Sequence, residues 1–249
     1  MFRLLKALPL TLALAALSFF TASCGSSNQA QIRVINAIPD SPTAGLDVDV
    51  NGTKITTAAL TFTDVQPTPP AYTKVASGSV TIQAFDTGTT TNPIFGTNGV
   101  TASLSGSSQY TIVLAGFLNG TGTNALAALQ ITDNNTAPSS GNVEFRIINA
   151  SPSVVPGGTV DVYIVPPGTD INQVNPPTIQ GLAYQQASNP YTSLAAATYS
   201  VIVTSSGTKQ EIIFPQDYTL VAGQIRTLVL VDNAGGGNPP SWLELSDLN

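Results

Sequence analysis

The sequence predicts an all-β protein made of two similar sandwich domains in tandem. Short runs of β-branched residues alternate with polar residues and are separated by Gly, Pro, Asn and Asp, which is the pattern of strands joined by tight turns. Beyond the first 23 residues, no stretch keeps a helical period over about eleven residues. This density of short strands and turns is typical of β-sandwich domains.

The tandem arrangement is predicted from an internal repeat. Matched blocks recur in the same order about 114 residues apart, which indicates a duplicated unit. The clearest pairs join Ile32–Pro39 to Phe145–Pro152 and Tyr110–Leu114 to Arg226–Leu230. We therefore expect a first domain over 31–133, a linker over 134–142 that is rich in Asn, Ser, Pro and Gly, and a second domain over 143–249.

Individual strands follow from local patterns. Asp47–Val50 alternates apolar and polar residues before Asn51-Gly52, which predicts a hairpin turn. Val160–Val165 repeats this pattern and ends at a Pro-Pro-Gly sequence. Tyr110–Leu114 and Thr227–Val231 are almost continuously apolar, so we expect central strands there. The Pro-, Asn- and Gln-rich stretch 166–190 is expected to form a variable surface of the second domain.

The first 23 residues form a predicted export signal. Two basic residues, Arg3 and Lys6, precede an apolar run over 7–20, which is too short and wrongly flanked for a spanning helix. The following Ala22-Ser23-Cys24 resembles the lipobox of bacterial lipoproteins. That resemblance implies a diacylated Cys24 as the mature N-terminus, a short tether over 24–30, and anchoring in the bacterial cell envelope, at the outer membrane or cell surface. The alternative is an ordinary signal peptide cleaved near Ala22.

Charge composition limits the partners that the protein can have. The chain carries 8 basic and 14 acidic residues, and removal of residues 1–23 changes its net charge from −6 to −8. Nucleic-acid binding is therefore not expected, because it requires a basic face. The partners we expect are the membrane, through the lipid anchor, and an envelope protein or a glycan.

The sequence contains no histidine and one cysteine, and this excludes several kinds of chemistry. A catalytic triad and the imidazole or thiolate sites of zinc, haem and copper cannot be built. We expect no cofactor and no catalytic residues. Calcium prefers oxygen ligands, and Asp47 and Asp49 lie on one strand face, so they are weak candidates for a calcium site.

Several other residues recur in both halves, and for them we expect mainly structural roles. Asn36 and Asn149 are expected to bond the local backbone where a strand ends. The carboxylates that recur could serve a glycosidase, although a structural role, either holding a turn or facing solvent, is the preferred interpretation. An aromatic binding platform is a further alternative to core packing. The repeated charged residues are Arg33 and Arg146, Asp47 and Asp161, and Asp133 and Asp247. The aromatic set, of which only Tyr72 and Tyr191 are a matched pair, is Tyr72, Phe117, Tyr184, Tyr191 and Trp242.

The opening motifs of both halves resemble the bacterial family DUF4397, a domain of unknown function. The resemblance rests on Arg33–Pro42 and Leu46–Gly52 in the first half and on Arg146–Pro152 and Val160–Ile164 in the second. It implies Ig-like or transthyretin-like β-sandwiches on exported proteins. We therefore expect a non-enzymatic, lipid-anchored envelope protein with a structural, adhesive or ligand-binding role. The alternatives are a carboxylate-based glycoside hydrolase and a calcium-dependent carbohydrate-binding module.

Overall fold

A computed structural model describes residues 28–155 and 158–248, so the predicted export signal and Cys24 lie outside the described residues. The described chain forms eighteen strands, two short 3₁₀ turns and no α-helix. The first nine strands, which we call the first lobe, are β1 (Ala30–Ala37), β2 (Leu46–Val50), β3 (Thr53–Lys54), β4 (Val65–Gln66), β5 (Thr73–Val75), β6 (Gly78–Asp86), β7 (Val100–Leu104), β8 (Gln109–Ala115) and β9 (Ala127–Asp133).

The next nine strands form the second lobe and follow the same order. They are β10 (Asn142–Asn149), β11 (Thr159–Val165), β12 (Ile179–Ala183), β13 (Gln186–Ala187), β14 (Thr192–Ala195), β15 (Thr198–Ser205), β16 (Glu211–Thr219), β17 (Ile225–Val231) and β18 (Ser241–Leu248). The 3₁₀ turns cover Gly122–Asn124 and Ile171–Gln173.

Each lobe is a sandwich of two sheets with the same strand order. One sheet runs β4-β1-β8-β9 in the first lobe and β13-β10-β17-β18 in the second, with β5 and β14 extending the pairing of β1 and β10. We call these the inner sheets. The outer sheets run β3-β2-β6-β7 and β12-β11-β15-β16. The structure therefore confirms an all-β chain of two tandem sandwiches, and every strand of the first lobe has its counterpart in the second.

Three apolar layers hold the molecule together. One core lies between the sheets of the first lobe, and a second lies between the sheets of the second lobe. The third joins the two inner sheets face to face, so the lobes are stacked rather than strung along the linker. Its buried members are Ile35, Ala37, Val113, Ala115 and Leu129 from the first lobe and Ile148, Ala150, Val229, Val231 and Leu245 from the second.

This stacking explains the continuous apolar runs in the sequence. In β8, Ile112 and Leu114 point into the first lobe's own core, whereas Val113 and Ala115 face the other lobe. Because both faces of the strand are covered, alternation with polar residues is lost. The predicted central position is confirmed, since β8 lies between β1 and β9, and β17 lies between β10 and β18.

The two lobes differ where the sequence predicted equivalent turns. The β2–β3 connection is a tight hairpin, with Asn51 at φ 51° and Gly52 at φ 73°, as the Asn-Gly signal predicts. In the second lobe a longer loop over 166–178 separates β11 from β12. Within the described residues, no helix has the length and apolar character needed to cross a membrane.

Candidate functional site between the lobes

Four charged side chains form a buried cluster between the lobes. Nη2 of Arg33 lies 2.5 Å from Oδ1 of Asp247, and Nη2 of Arg146 lies 2.8 Å from Oδ1 of Asp133. Within each lobe the arginine is farther from its aspartate, at 3.5 Å and 3.8 Å. All four side chains are at most 1% exposed. Each arginine therefore pairs more closely with the aspartate of the other lobe, and the two positive and two negative charges balance.

Threonine hydroxyls complete the cluster in the same way on both sides. Nε of Arg33 donates to Oγ1 of Thr111 at 2.8 Å, and the Thr111 hydroxyl donates to Asp133 at 2.7 Å. In the second lobe, Arg146 donates to Thr227 at 3.1 Å, and Thr227 donates to the carboxylate of the second lobe's aspartate at 2.5 Å. Burial lowers the pKa of the Arg33 guanidinium, but the two aspartates outweigh it and raise that pKa overall, so the side chain stays charged.

A tyrosine covers each arginine. The ring of Tyr72 lies 5.1 Å from the Arg33 guanidinium carbon, and the ring of Tyr191 lies 4.7 Å from that of Arg146, both within cation–π distance. The Tyr72 hydroxyl also donates to Asp133 at 2.8 Å. Burial raises the pKa of Tyr191 to about 12, with Arg146 acting in the opposite direction. The tyrosines that repeat in the sequence therefore close the two ends of the charged cluster.

Strand alternation explains why the arginines meet between the lobes. In β1, Ile32 and Val34 point into the first lobe's core, so Arg33, Ile35 and Ala37 point the other way. The parallel pairing of β1 with β8 sets Arg33 beside Thr111. The same register sets Arg146 beside Thr227 in β10 and β17. The sequence predicted a structural role for both arginines, but it did not indicate a partner in the other lobe.

The remaining repeated aspartates hold loops of the outer sheets. Oδ1 of Asp161 accepts from the N–H of Gly181 and the hydroxyl of Ser206, and Oδ2 accepts from the N–H of Gly207, all at 2.8 Å. Burial raises the pKa of Asp161, but these three hydrogen bonds outweigh it, so the pKa lies below its usual value. The position of Asp161 within an outer sheet accords with the turn-supporting role expected from the sequence.

Of the two calcium candidates, Asp47 already has protein partners. Asp47 accepts a hydrogen bond from the N–H of Gly88 at 3.0 Å and pairs with Nζ of Lys54 at 2.7 Å. Burial and the neighbouring Asp47 raise the pKa of Asp49. Asn51, two residues after Asp49, accepts a hydrogen bond from a backbone N–H of β6. Within residues 28–155 and 158–248, no group of three or more His, Cys, Asp or Glu side chains is arranged to hold a metal ion.

The repeated asparagines bond the backbone as expected. Oδ1 of Asn36 accepts from the N–H of Ile38 at 3.0 Å, and its amide donates to the carbonyl of Leu60 at 3.0 Å. Oδ1 of Asn149 accepts from the N–H of Ser151 at 3.3 Å. Each asparagine therefore shapes the end of a strand, and Asn36 also ties that end to the chain that follows β3.

The aromatic residues do not gather into one platform. Tyr72 and Tyr191 cover the arginines, whereas Tyr184 packs on the apolar layer between the lobes. Trp242 packs against the core of the second lobe. Core packing, the preferred interpretation of the sequence, thus describes Tyr184 and Trp242, and cation–π contacts describe the other two.

A polar groove borders the charged cluster on the second lobe's side. Three neighbouring depressions of about 420, 390 and 480 Å³ are each lined by Asn189 and Tyr191, and we call them together the Tyr191 groove. One depression also contacts β9 of the first lobe, one contacts β12, and one contacts the linker. The sequence signalled only part of this groove, through the Asn- and Gln-rich stretch that ends at residue 190.

Fold and site together define a duplicated β-sandwich protein whose two copies are locked by a charge-balanced ion cluster. The chain belongs to the DUF4397 family, a domain of unknown function, whose model matches residues 30–163. No protein with a curated description matches the chain.

Two solved structures share some resemblance with the chain. A leucine-rich repeat protein from Bacteroides thetaiotaomicron is 12% identical at a TM-score of 0.23; the match covers 85% of this chain and 27% of that protein. A "putative cell adhesion protein" from Bacteroides eggerthii is 12% identical at a TM-score of 0.19; the match covers 88% of this chain and 96% of that protein. This chain therefore spans little more than a quarter of the leucine-rich repeat protein.

Proposed function

We propose that the protein is a non-enzymatic, lipid-anchored component of the bacterial cell envelope that binds a ligand or partner. The observation that carries this proposal is the sequence pattern of an export signal over 1–23, followed by Cys24, the only cysteine in the chain. The two acyl chains of a diacylated Cys24 supply the double anchor that stable membrane attachment requires. The few residues from Cys24 to the start of β1 at Ala30 then serve as a short tether to the membrane.

The interior of the molecule supports a binding role over a catalytic one. A glycosidase needs two carboxyl groups that flank an open cleft. Asp133 and Asp247 are instead buried and paired with arginines, and Asp47 and Asp161 are engaged with neighbouring loops. The repeated carboxylates therefore have structural tasks, while the Tyr191 groove offers an open surface for a ligand.

Metabolic labelling with a fatty-acid analogue tests the anchor. The full chain is expressed in a bacterium that acylates lipoproteins, and the label is expected on the wild-type chain and on Ser23→Ala, which keeps the thiol. Cys24→Ala is expected to lose the label, because it lacks the acyl acceptor. Mass spectrometry of an unlabelled mature chain that begins elsewhere than at Cys24 would refute the proposal.

A further inference from the structure

We propose that the Tyr191 groove binds a neutral oligosaccharide. This inference deepens the proposed function and rests on its ligand-binding part. Each of the three depressions has the size of a small-molecule site. Together they run from β9 of the first lobe, past Asn189 and Tyr191, to β12 of the second, so a ligand with several linked units can occupy them in sequence.

The lining of the groove has the chemistry that sugar hydroxyls require. Asn189 is exposed where the three depressions meet, and Gln180 and Gln186 line the depression beside β12. Within the described part of the chain, these three side-chain amides make no hydrogen bond to other protein groups. A side-chain amide offers hydrogen-bond donors and an acceptor together. It can therefore bond a sugar hydroxyl, which both donates and accepts.

The lining of the groove is partly apolar. Leu129, Ile131 and Ala187 line the depression between the lobes, next to the ring of Tyr191. Apolar and aromatic lining with a few polar groups is the usual composition of a small-molecule site, and it suits the C–H faces of a sugar ring. The amide groups and the apolar atoms of the groove therefore match the two kinds of surface that a sugar presents.

Charge favours a neutral ligand over a charged one. The only ionisable groups beside the depressions, apart from tyrosine, are Arg146 and Glu144. Arg146 is buried and already paired with Asp133 at 2.8 Å. The chain also carries a net charge of −6, which repels a polyanionic glycan. The groove therefore has no free cation with which to hold a carboxylate or phosphate.

The backbone beside the groove favours a sugar over an extended peptide. Strand addition needs a row of unpaired N–H and C=O groups along a sheet edge. Along β9, the carbonyl of Thr132 already accepts from Arg146. Along β12, the N–H of Gly181 donates to Asp161, and the carbonyl of Leu182 accepts from Asn149. These bonds occupy backbone groups on both strands, which favours contacts through side chains.

Titration with defined sugars tests the inference. The full chain, in a zwitterionic detergent without a sugar headgroup, is titrated calorimetrically with cellohexaose, maltohexaose, mannohexaose and chitohexaose. At least one is expected to bind with a Kd of about 1 mM or tighter. Gln180→Ala/Asn189→Ala should weaken that binding about tenfold or more, because it removes two amide contacts. Asn98→Ala/Gln216→Ala changes two exposed amides outside the groove and should leave the affinity unchanged.

Each contrary result overturns a distinct statement. Absence of binding by all four hexasaccharides overturns the inference, as does binding that the groove variant leaves unchanged. Loss of binding in EDTA also overturns it, because no cluster of carboxylates lines the groove. If the wild-type chain binds an extended peptide and the groove variant does not, the ligand of the groove is a peptide and not a sugar. None of these outcomes affects the labelling of Cys24, so failure here is distinguishable from failure of the anchor.

Discussion

Removal of one arginine from the ion cluster should destabilise the whole molecule. In Arg33→Met the apolar part of the side chain is kept, but Asp133 and Asp247 then face Arg146 alone, and the cluster carries one uncompensated negative charge. The four side chains are at most 1% exposed, so water cannot solvate that charge. Breaking a buried ion pair from one side costs about 3–5 kcal/mol of unfolding free energy.

A double-mutant cycle separates the charge from the packing. Arg33→Met/Asp247→Asn restores neutrality and leaves the pair of Arg146 and Asp133, whose Nη2–Oδ1 distance is 2.8 Å. The asparagine can still accept the hydrogen bond that Thr227 donates. We therefore expect the double variant to be more stable than the sum of the single losses predicts, by about 2 kcal/mol or more.

Urea unfolding measures these differences, because urea does not screen charge as guanidinium chloride does. The matched control is Arg226→Met, which breaks a partly exposed pair with Glu244 at 3.3 Å and should cost at most about 1 kcal/mol. If Arg33→Met costs no more than Arg226→Met, or if the double variant loses the simple sum of the two single losses, the cluster does not hold the lobes together as described.

Three further perturbations test single features of the structure. The hydrogen bonds to Asp161 hold its pKa below the usual value, so its contribution to stability is present above about pH 4 and is lost as the pH falls through the lowered pKa. Asp161→Asn should therefore flatten the fall in urea-unfolding free energy between about pH 5 and pH 2, and an unchanged slope would contradict this. Asn36→Ala should lower the free energy of unfolding by about 1–3 kcal/mol in the same assay, because it leaves buried backbone groups unpaired. The exposed control Asn98→Ala should leave that free energy almost unchanged, and an equal loss in both variants would count against the role of Asn36. Burial raises the pKa of Tyr191 to about 12. In an ultraviolet titration of the folded chain, Tyr191→Phe should therefore lack a tyrosine component near pH 12. Loss of a component near pH 10 instead would show that the ring is not buried.

Most of the fold follows from local sequence signals. The Asn51-Gly52 turn, the apolar runs of β8 and β17 and the strand-end asparagines were all predicted correctly, because each depends on residues within a few positions of one another. The repeat then predicted that both halves share one architecture. The 166–178 loop lies within the stretch 166–190 that was expected to form a variable surface, but β12 and β13 in the same stretch were not predicted. An alternating strand followed by a turn signal does not state where the next strand resumes pairing.

The site could be predicted less well, since its parts are distant in the chain. Arg33 and Asp247 lie at opposite ends of the described residues, yet they form the closest ion pair of the cluster. No spacing rule connects such residues. The Tyr191 groove likewise needs β9, the linker and β12 to meet. The sequence indicated only one part of its lining, as the variable surface expected over 166–190.

By itself, the amino-acid sequence determined the strands, their duplication and the two faces of each strand, because backbone geometry makes side chains alternate. What covers each face was decided only by the tertiary structure. Arg33, Ile35 and Ala37 share a face in any β-strand, and that face could have met solvent, a partner or the other half of the chain. The apolar layer between the inner sheets, together with arginine–aspartate pairs that are shortest across the lobes, makes the stacked arrangement the stable one.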